Sequence, residues 1–298
     1  MVNLFNIPIP QSLKADKEGY AFLSWVAGSA LLLDCKEIIV DFEACSFIEG
    51  NLCAVLGNIL EGLKIRNKNV SLQNVRIQIL RVLARNEFLE AFGYTFYAPR
   101  YFLTSIPYKK FNLSDEAAAK EFFSLELFGK PGMPQMSAPA KKAILRNIFE
   151  ICINAITHAG CEYVYCCGQL FNIKANPKVL ITFVDLGNTI TANVNNYLSK
   201  NLSGNEAIRW ALIDGNTTKE GSEPGGLGLK LLQDLISYNK GKLQIVSGNG
   251  FVEIFDGKVN FIGQELDFPG TIVTLEIKLG DPNFYILTNE KQNTSNIF

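Results

Sequence analysis

A single histidine, His158, occurs in the 298 residues. Cys161, Cys166 and Cys167 lack paired C-x-x-C spacing, so with one imidazole to help them they do not read as a zinc site. A charge of one sign is also missing. The 28 basic and 29 acidic residues leave a net charge of -1, which gives no electrostatic footprint for a phosphate backbone or an anionic membrane. Neither nucleic acid nor membrane is expected as a partner. The longest uncharged apolar stretch, "GYAFLSWVAGSALLL" at 19 to 33, is broken by Ser and Gly and falls short of the roughly 20 residues of a spanning helix. The first residues show no basic start, apolar core and small-residue cleavage site, so the expected location is the cytoplasm. Seven cysteines is an odd number, and Cys35, Cys45, Cys53 and Cys152 sit in apolar segments, as reduced core thiols do. Internal repeats, low-complexity tracts, a P-loop and a G-x-S-x-G elbow are all absent.

What is present is a core-forming composition, 48% hydrophobic and 19% charged, long enough for two domains. Segment 19 to 33 reads as a buried helix, 37 to 42 as a strand and 51 to 66 as an amphipathic helix. Segment 70 to 75 follows as a strand, and 77 to 93 as a helix closed by Gly93. Strands separated by helices imply a small α/β sandwich over residues 1 to 95. A connector of strand, turn and helix spans 96 to 136, ending in the Gly/Pro-rich "GKPGMPQMSAP". A helix from about Pro139 to Thr157 comes next, with Gly160 past its end. Then come strands, among them 178 to 185, a polar helical region to about Asp214, a glycine-rich loop at 215 to 228, a helix and four strands at hairpin spacing. The class is α/β, with α+β two-layer sandwiches: one unit at 1 to 95, a second at 137 to 284, and a tail at 285 to 298.

Three features carry chemistry. Residues four apart on a helix advance about 40°, so Glu150, Asn154 and His158 form a file, one turn after Asn147. Such a file is either the wet face of an amphipathic helix or the wall of a pocket. Its neighbours Ile151, Cys152, Ile153, Ala155 and Ile156 provide no basic residue for a solvent side. Secondly, the doubly buried strand "VLITFVD" ends at Asp185, followed by Gly187. A carboxylate there needs donors, which an exocyclic amino group or a simple Asx turn supplies. Thirdly, Gly225, Gly226 and Gly228 precede and open a helix whose free N–H groups suit an anion, though the same glycines also make a plain hinge.

Taken in order, E-x-x-x-N-x-x-x-H, D-x-G, a polar insert, G-G-L-G-L and the "GT" of Gly270 and Thr271 resemble the GHKL ATPases over roughly residues 137 to 280. That family includes gyrase-type subunits, histidine kinases and anti-sigma-factor kinases. The resemblance implies a Bergerat-type ATP-binding domain. It makes Asn154 a ligand of Mg²⁺, Glu150 a general base, and Asp185 the partner of the adenine amino group. Gly187 lets the base approach, while Gly225, Gly226 and Gly228 cradle phosphates. His158 and Thr271 border the nucleotide, and the insert from about 190 to 224 is a mobile lid. The usual D-x-G-x-G is altered, with Thr189 at the second glycine.

The N-terminal stretch, with "FIEGNL" at 47 to 52, resembles the STAS domain of anti-sigma-factor antagonists, alongside the plainer reading of a generic α/β domain. Glu49 keeps the acidic position, and the phosphorylated serine of that family falls at Gly50. The resemblances together imply a cytoplasmic regulator. It would bind Mg-ATP, hydrolyse it or transfer its phosphate, and act on a regulatory protein partner or by self-association. A nucleotide-gated scaffold without turnover is the alternative. A full sensor histidine kinase does not fit, since the one His lies inside the site.

Overall fold

The computed structural model describes residues 4–32, 34–96, 104–213, 215, 216, 218 and 227–290. Mixed α/β architecture with several sheets is observed. The chain opens with β1 (Leu4–Pro8), β2 (Ser12–Leu13), α1 (Lys17–Leu32), β3 (Glu37–Asp41) and β4 (Phe47–Ile48). A buried 3-10 turn, Gly50–Leu52, leads into α2 (Cys53–Ile65), then β5 (Asn69–Gln73), α3 (Ile77–Arg85) and α4 (Phe88–Ala91). Strands β1, β3 and β5 pair in parallel, in the order β1-β3-β5. Their inward side chains include Ile7, Ile38 and Val40, all buried.

The expected single helix from 77 to 93 is broken between α3 and α4, where Glu87 takes a left-handed backbone, φ 57°. The cause is tertiary. Asn86, which ends α3, is buried, and its side-chain amide donates to the carbonyls of Ile106 (3.1 Å) and Gly168 (2.7 Å). Pairing buried polar groups outweighs one more turn of helix.

Next come β6 (Ser105–Phe111), α5 (Glu116–Phe122), β7 (Gln135–Met136), α6 (Ala138–Ala159), β8 (Val164–Phe171) and β9 (Lys178–Asp185). After α7 (Ile190–Leu198) and α8 (Gly204–Ala211) follow α9 (Leu227–Asn239), β10 (Lys242–Gly248), β11 (Gly250–Phe255), β12 (Lys258–Phe261), β13 (Phe268–Lys278) and β14 (Phe284–Tyr285). A seven-stranded sheet runs β12-β11-β10-β13-β9-β8-β6, so β6, from the stretch read as a connector, is its edge strand. Helix α6 is well bounded. The Ser137 hydroxyl accepts from Ala140 N–H at 3.1 Å, Pro139 lies in the first turn, and Gly160 closes the helix at φ 68°.

Two cores flank the large sheet. On one face α6 and α9 bury Ile148, Cys152, Leu235 and Ile236 against Phe183 and Val273. On the other, α1 and α2 fill the space between both sheets, where Leu23 and Leu56 share one core with Val184, Val246 and Ile272. The chain thus stacks in four layers, three-stranded sheet, helices, seven-stranded sheet, helices, with the second layer common to both halves. No described helix is long and apolar enough to cross a membrane.

Gly50 lies in the seam between α2 and the large sheet. Its N–H donates to the Gln169 side chain, and a Cβ there would stand 2.6 Å from Asn86 Oδ1 and 2.7 Å from Gln169 Oε1. Asn86 is itself fixed by the two bonds above and cannot retreat freely. Gly50→Ser is therefore expected to destabilise the fold by about 1–3 kcal/mol, the usual cost of overpacking. A melting temperature within a degree of wild type would refute the tight seam. The nearby Glu49 carboxylate accepts from Ala15 N–H at 2.7 Å, and burial pushes its pKa above the usual carboxylate range.

Candidate functional site

The C-terminal end of α6 and the C-terminal end of β9 meet. Gly187, two residues past β9, packs so closely on α6 that an added Cβ would be 2.3 Å from the Ala159 carbonyl oxygen and 2.6 Å from Ala159 Cβ. Asn188 N–H donates to that same carbonyl at 2.7 Å, and Asn193 Nδ2 donates to the His158 carbonyl at 2.9 Å. The loop after β9 therefore wraps the last turn of the helix that carries Glu150, Asn154 and His158. Glu150 and Asn154 are half-buried, and neither side chain has a hydrogen-bond or ion-pair partner among the described residues.

Asp185 ends β9 opposite Thr271 on β13 and is only 2% exposed. Its Oδ1 accepts from Gly187 N–H at 3.1 Å. Desolvation pushes the carboxyl up to about 8, against the pull of backbone N–H groups of Gly187 and Thr271. Cys161, half-buried nearby, is pushed up to about 12 by burial first and by the Asp185 charge second. Burial thus favours the protonated form of both groups at this corner of the site.

Behind the turn is a hydroxyl pair that the sequence did not reveal. Ser247 Oγ donates to the Gly270 carbonyl (3.0 Å), lies 2.9 Å from Thr271 Oγ1 and accepts from Ile190 N–H at 2.8 Å. Within "KLQIVSG" it reads as ordinary strand, because its partners are 24 and 57 residues away. Thr189, the departure from D-x-G-x-G, has a local job. Its hydroxyl caps α7 by accepting from Ala192 N–H at 3.0 Å.

The insert expected as a lid from 190 to 224 begins as two packed helices. Asn249 Oδ1 accepts from Gly204 N–H at 2.9 Å and Asn205 Oδ1 accepts from Phe251 N–H at 3.1 Å, fastening the start of α8 to the turn between β10 and β11. Ala207 and Ile208 are buried there. Further along, Thr218 Oγ1 lies 3.2 Å from His158 Nδ1, a contact no sequence signal indicated. Gly225 and Gly226 fall outside the described residues, and Gly228 is the second residue of α9. Helix α9 packs along α6 on the same face of the sheet.

Among the described residues no group of three or more His, Cys, Asp or Glu could hold a metal by itself. Asn154 offers one unengaged amide oxygen, which suits a small hard cation that keeps waters and takes its other ligands from phosphates. The chain matches no known protein-family model and no curated protein.

Proposed function

We propose that this chain is an ATP-binding regulatory protein of the GHKL class, with a STAS-like N-terminal unit joined to a Bergerat-type ATP-binding unit. The observation that carries the reading is the meeting of α6 with the β9 turn. Gly187 against Ala159 sets the buried Asp185 beside the helix bearing Glu150, Asn154 and His158. In this reading Asp185 accepts from the adenine amino group and Thr271 supports Asp185 through its N–H, while the room the resemblance expects Gly187 to leave for the base is taken up by Ala159, so that this glycine serves to close the turn on α6. Asn154 supplies an oxygen ligand to Mg²⁺, with Gly225, Gly226 and Gly228 toward the phosphates. Bound Mg-ATP would supply an activated phosphoryl group. Glu150, one turn before Asn154, would take the proton from an attacking water or hydroxyl. The protein would then act through contacts with a regulatory partner or a second copy, in the cytoplasm.

A second reading, a scaffold that binds nucleotide without turnover, is favoured by Thr189, which replaces a hinge glycine with a cap for α7. Calorimetry with ATP and Mg²⁺, followed by a phosphate-release assay, separates the two. Asn154→Ala is expected to weaken Mg-ATP by about tenfold or more, about 1.4 kcal/mol, and to leave the fold intact because Ala is the best helix former. Equal Mg-ATP affinity in the variant, or no binding by the wild type at micromolar to millimolar ATP, would remove the nucleotide reading.

A further inference from the structure

A closed run of buried polar side chains crosses from the N-terminal unit into the large sheet and back. Asn51 Nδ2 donates to Thr182 Oγ1 at 2.9 Å. Thr182 and Thr274, cross-strand partners on β9 and β13, have their hydroxyl oxygens 2.8 Å apart. Tyr20 OH is 2.9 Å from Thr274 Oγ1 and 3.0 Å from Gln244 Oε1. Gln244 Nε2 then donates to the Ala15 carbonyl at 3.0 Å and to Glu253 Oε2 at 3.1 Å. Asn51, Thr182 and Tyr20 are 0% exposed, Thr274 1% and Gln244 3%.

Counting protons orders the run. An amide N–H can only donate, and each hydroxyl has one proton to give. Since Asn51 donates to Thr182, the arrangement that gives every hydroxyl proton an acceptor has Thr182 donating to Thr274, Thr274 to Tyr20, and Tyr20 to Gln244 Oε1, while Asn51 Oδ1, at the head of the run, has no partner among the described residues. Gln244 then returns its own proton to Ala15. Burial of the phenol raises its pKa, with the charges of Glu49, Asp16 and Glu253 adding to the rise, and keeps it a donor. Five buried polar side chains in one line weaken a core unless they are paired, and the bonds that run from Asn51 Nδ2 to Gln244 restrict how the elements that carry them can be arranged.

The elements so fixed lead to the candidate site. Thr182 and Thr274 face the N-terminal unit. Three residues farther along the same paired strands, about 10 Å away, Asp185 and Thr271 stand opposite each other, with their side chains on the α6 side because three is an odd step. We propose that Asn51 and Tyr20 are positioning residues, through which the N-terminal unit holds β9 and β13 from behind and sets the Asp185–Gly187–Thr271 corner. The functional consequence, control of nucleotide affinity by the N-terminal unit, rests on the nucleotide reading above. The geometric claim does not.

The test uses the whole 298-residue chain. Tyr20→Phe keeps the ring and removes one hydroxyl, so Thr274 and Gln244 each lose a partner. The readouts are the backbone amide resonances of Gly187 and Thr271 in ¹H–¹⁵N spectra without nucleotide, and ATP affinity. The expected result is displacement of both amide resonances, which report the hydrogen bonds to Asp185, and an ATP affinity about threefold to tenfold weaker. Asn51→Ala breaks the run at its other end, so it serves if Tyr20→Phe does not fold. Resonances of Gly187 and Thr271 unmoved in a folded variant would overturn the proposal, even if stability falls. Moved resonances in a protein that binds no ATP would uphold the positioning claim and sink the nucleotide reading.

Discussion

Gly187→Ala is expected to cost about 3 kcal/mol of stability, the upper end of ordinary overpacking, and to abolish any ligand binding at the Asp185 corner. The added Cβ meets a backbone carbonyl at 2.3 Å and Ala159 Cβ at 2.6 Å, and neither can rotate away. The helix end cannot slide back without giving up the Asn188 and Asn193 bonds to the Ala159 and His158 carbonyls. Relief must come from moving the β9 turn, and Asp185 moves with it. For a domain of ordinary stability, about 5–15 kcal/mol, such a loss is large. Denaturant unfolding measures it. A variant within about 0.5 kcal/mol of wild type, within the ordinary range for surface changes, would mean that the close approach is absent.

Asp185→Asn should change the pH dependence of stability more than any other single substitution at the site. With its carboxyl raised to about 8 in the fold and near 4 when unfolded, the folded chain holds a proton between those values that the unfolded chain gives up. Stability from this group is fully present below about pH 4 and is lost as pH rises toward 8. A displacement of about four units corresponds to at most about 6 kcal/mol. Asn cannot ionise, so the difference between wild-type and variant stability should shrink with rising pH by several kcal/mol and turn in the variant's favour near pH 8. Urea unfolding at a series of pH values reads this difference directly, with the other titrating groups cancelling. Parallel curves would show that Asp185 is ionised and solvated. An amino group offered by a ligand favours the charged form, so binding near pH 7 should release a proton, visible as a buffer-dependent binding enthalpy.

Sequence patterns were legible where the restraint was local. Strand β9 is legible at its observed limits because a chain buried on both faces leaves an uninterrupted apolar run. Helix α6 was bounded by its Pro and Gly. Strand β1 is not legible in the sequence, because only Ile7 of its five residues is fully buried and Pro8 ends it, which removes the alternation that marks a strand. The break between α3 and α4 was hidden for another reason, since it is set by carbonyls from β6 and β8 that Asn86 reaches across the fold. At the site, the order of motifs singled out Asp185, Gly187 and the file on α6. It carried no sign of Ser247, Thr218 or the run through Tyr20, whose partners are remote in sequence.

That remoteness has a consequence for the chain as it is made. Tyr20 closes its bonds with residues 224 and 254 positions later, and at about 5–20 residues per second a ribosome needs roughly 10–50 s to supply them. Until β8 and β9 are made, α2 has only the N-terminal strands to lean on, and the flank of α1 meant for β13 stays wet to the end of that interval. The first half of this protein is thus a guest that arrives long before its seat, and a nascent chain stalled before β13 is expected to leave the buried face of α1 open to water.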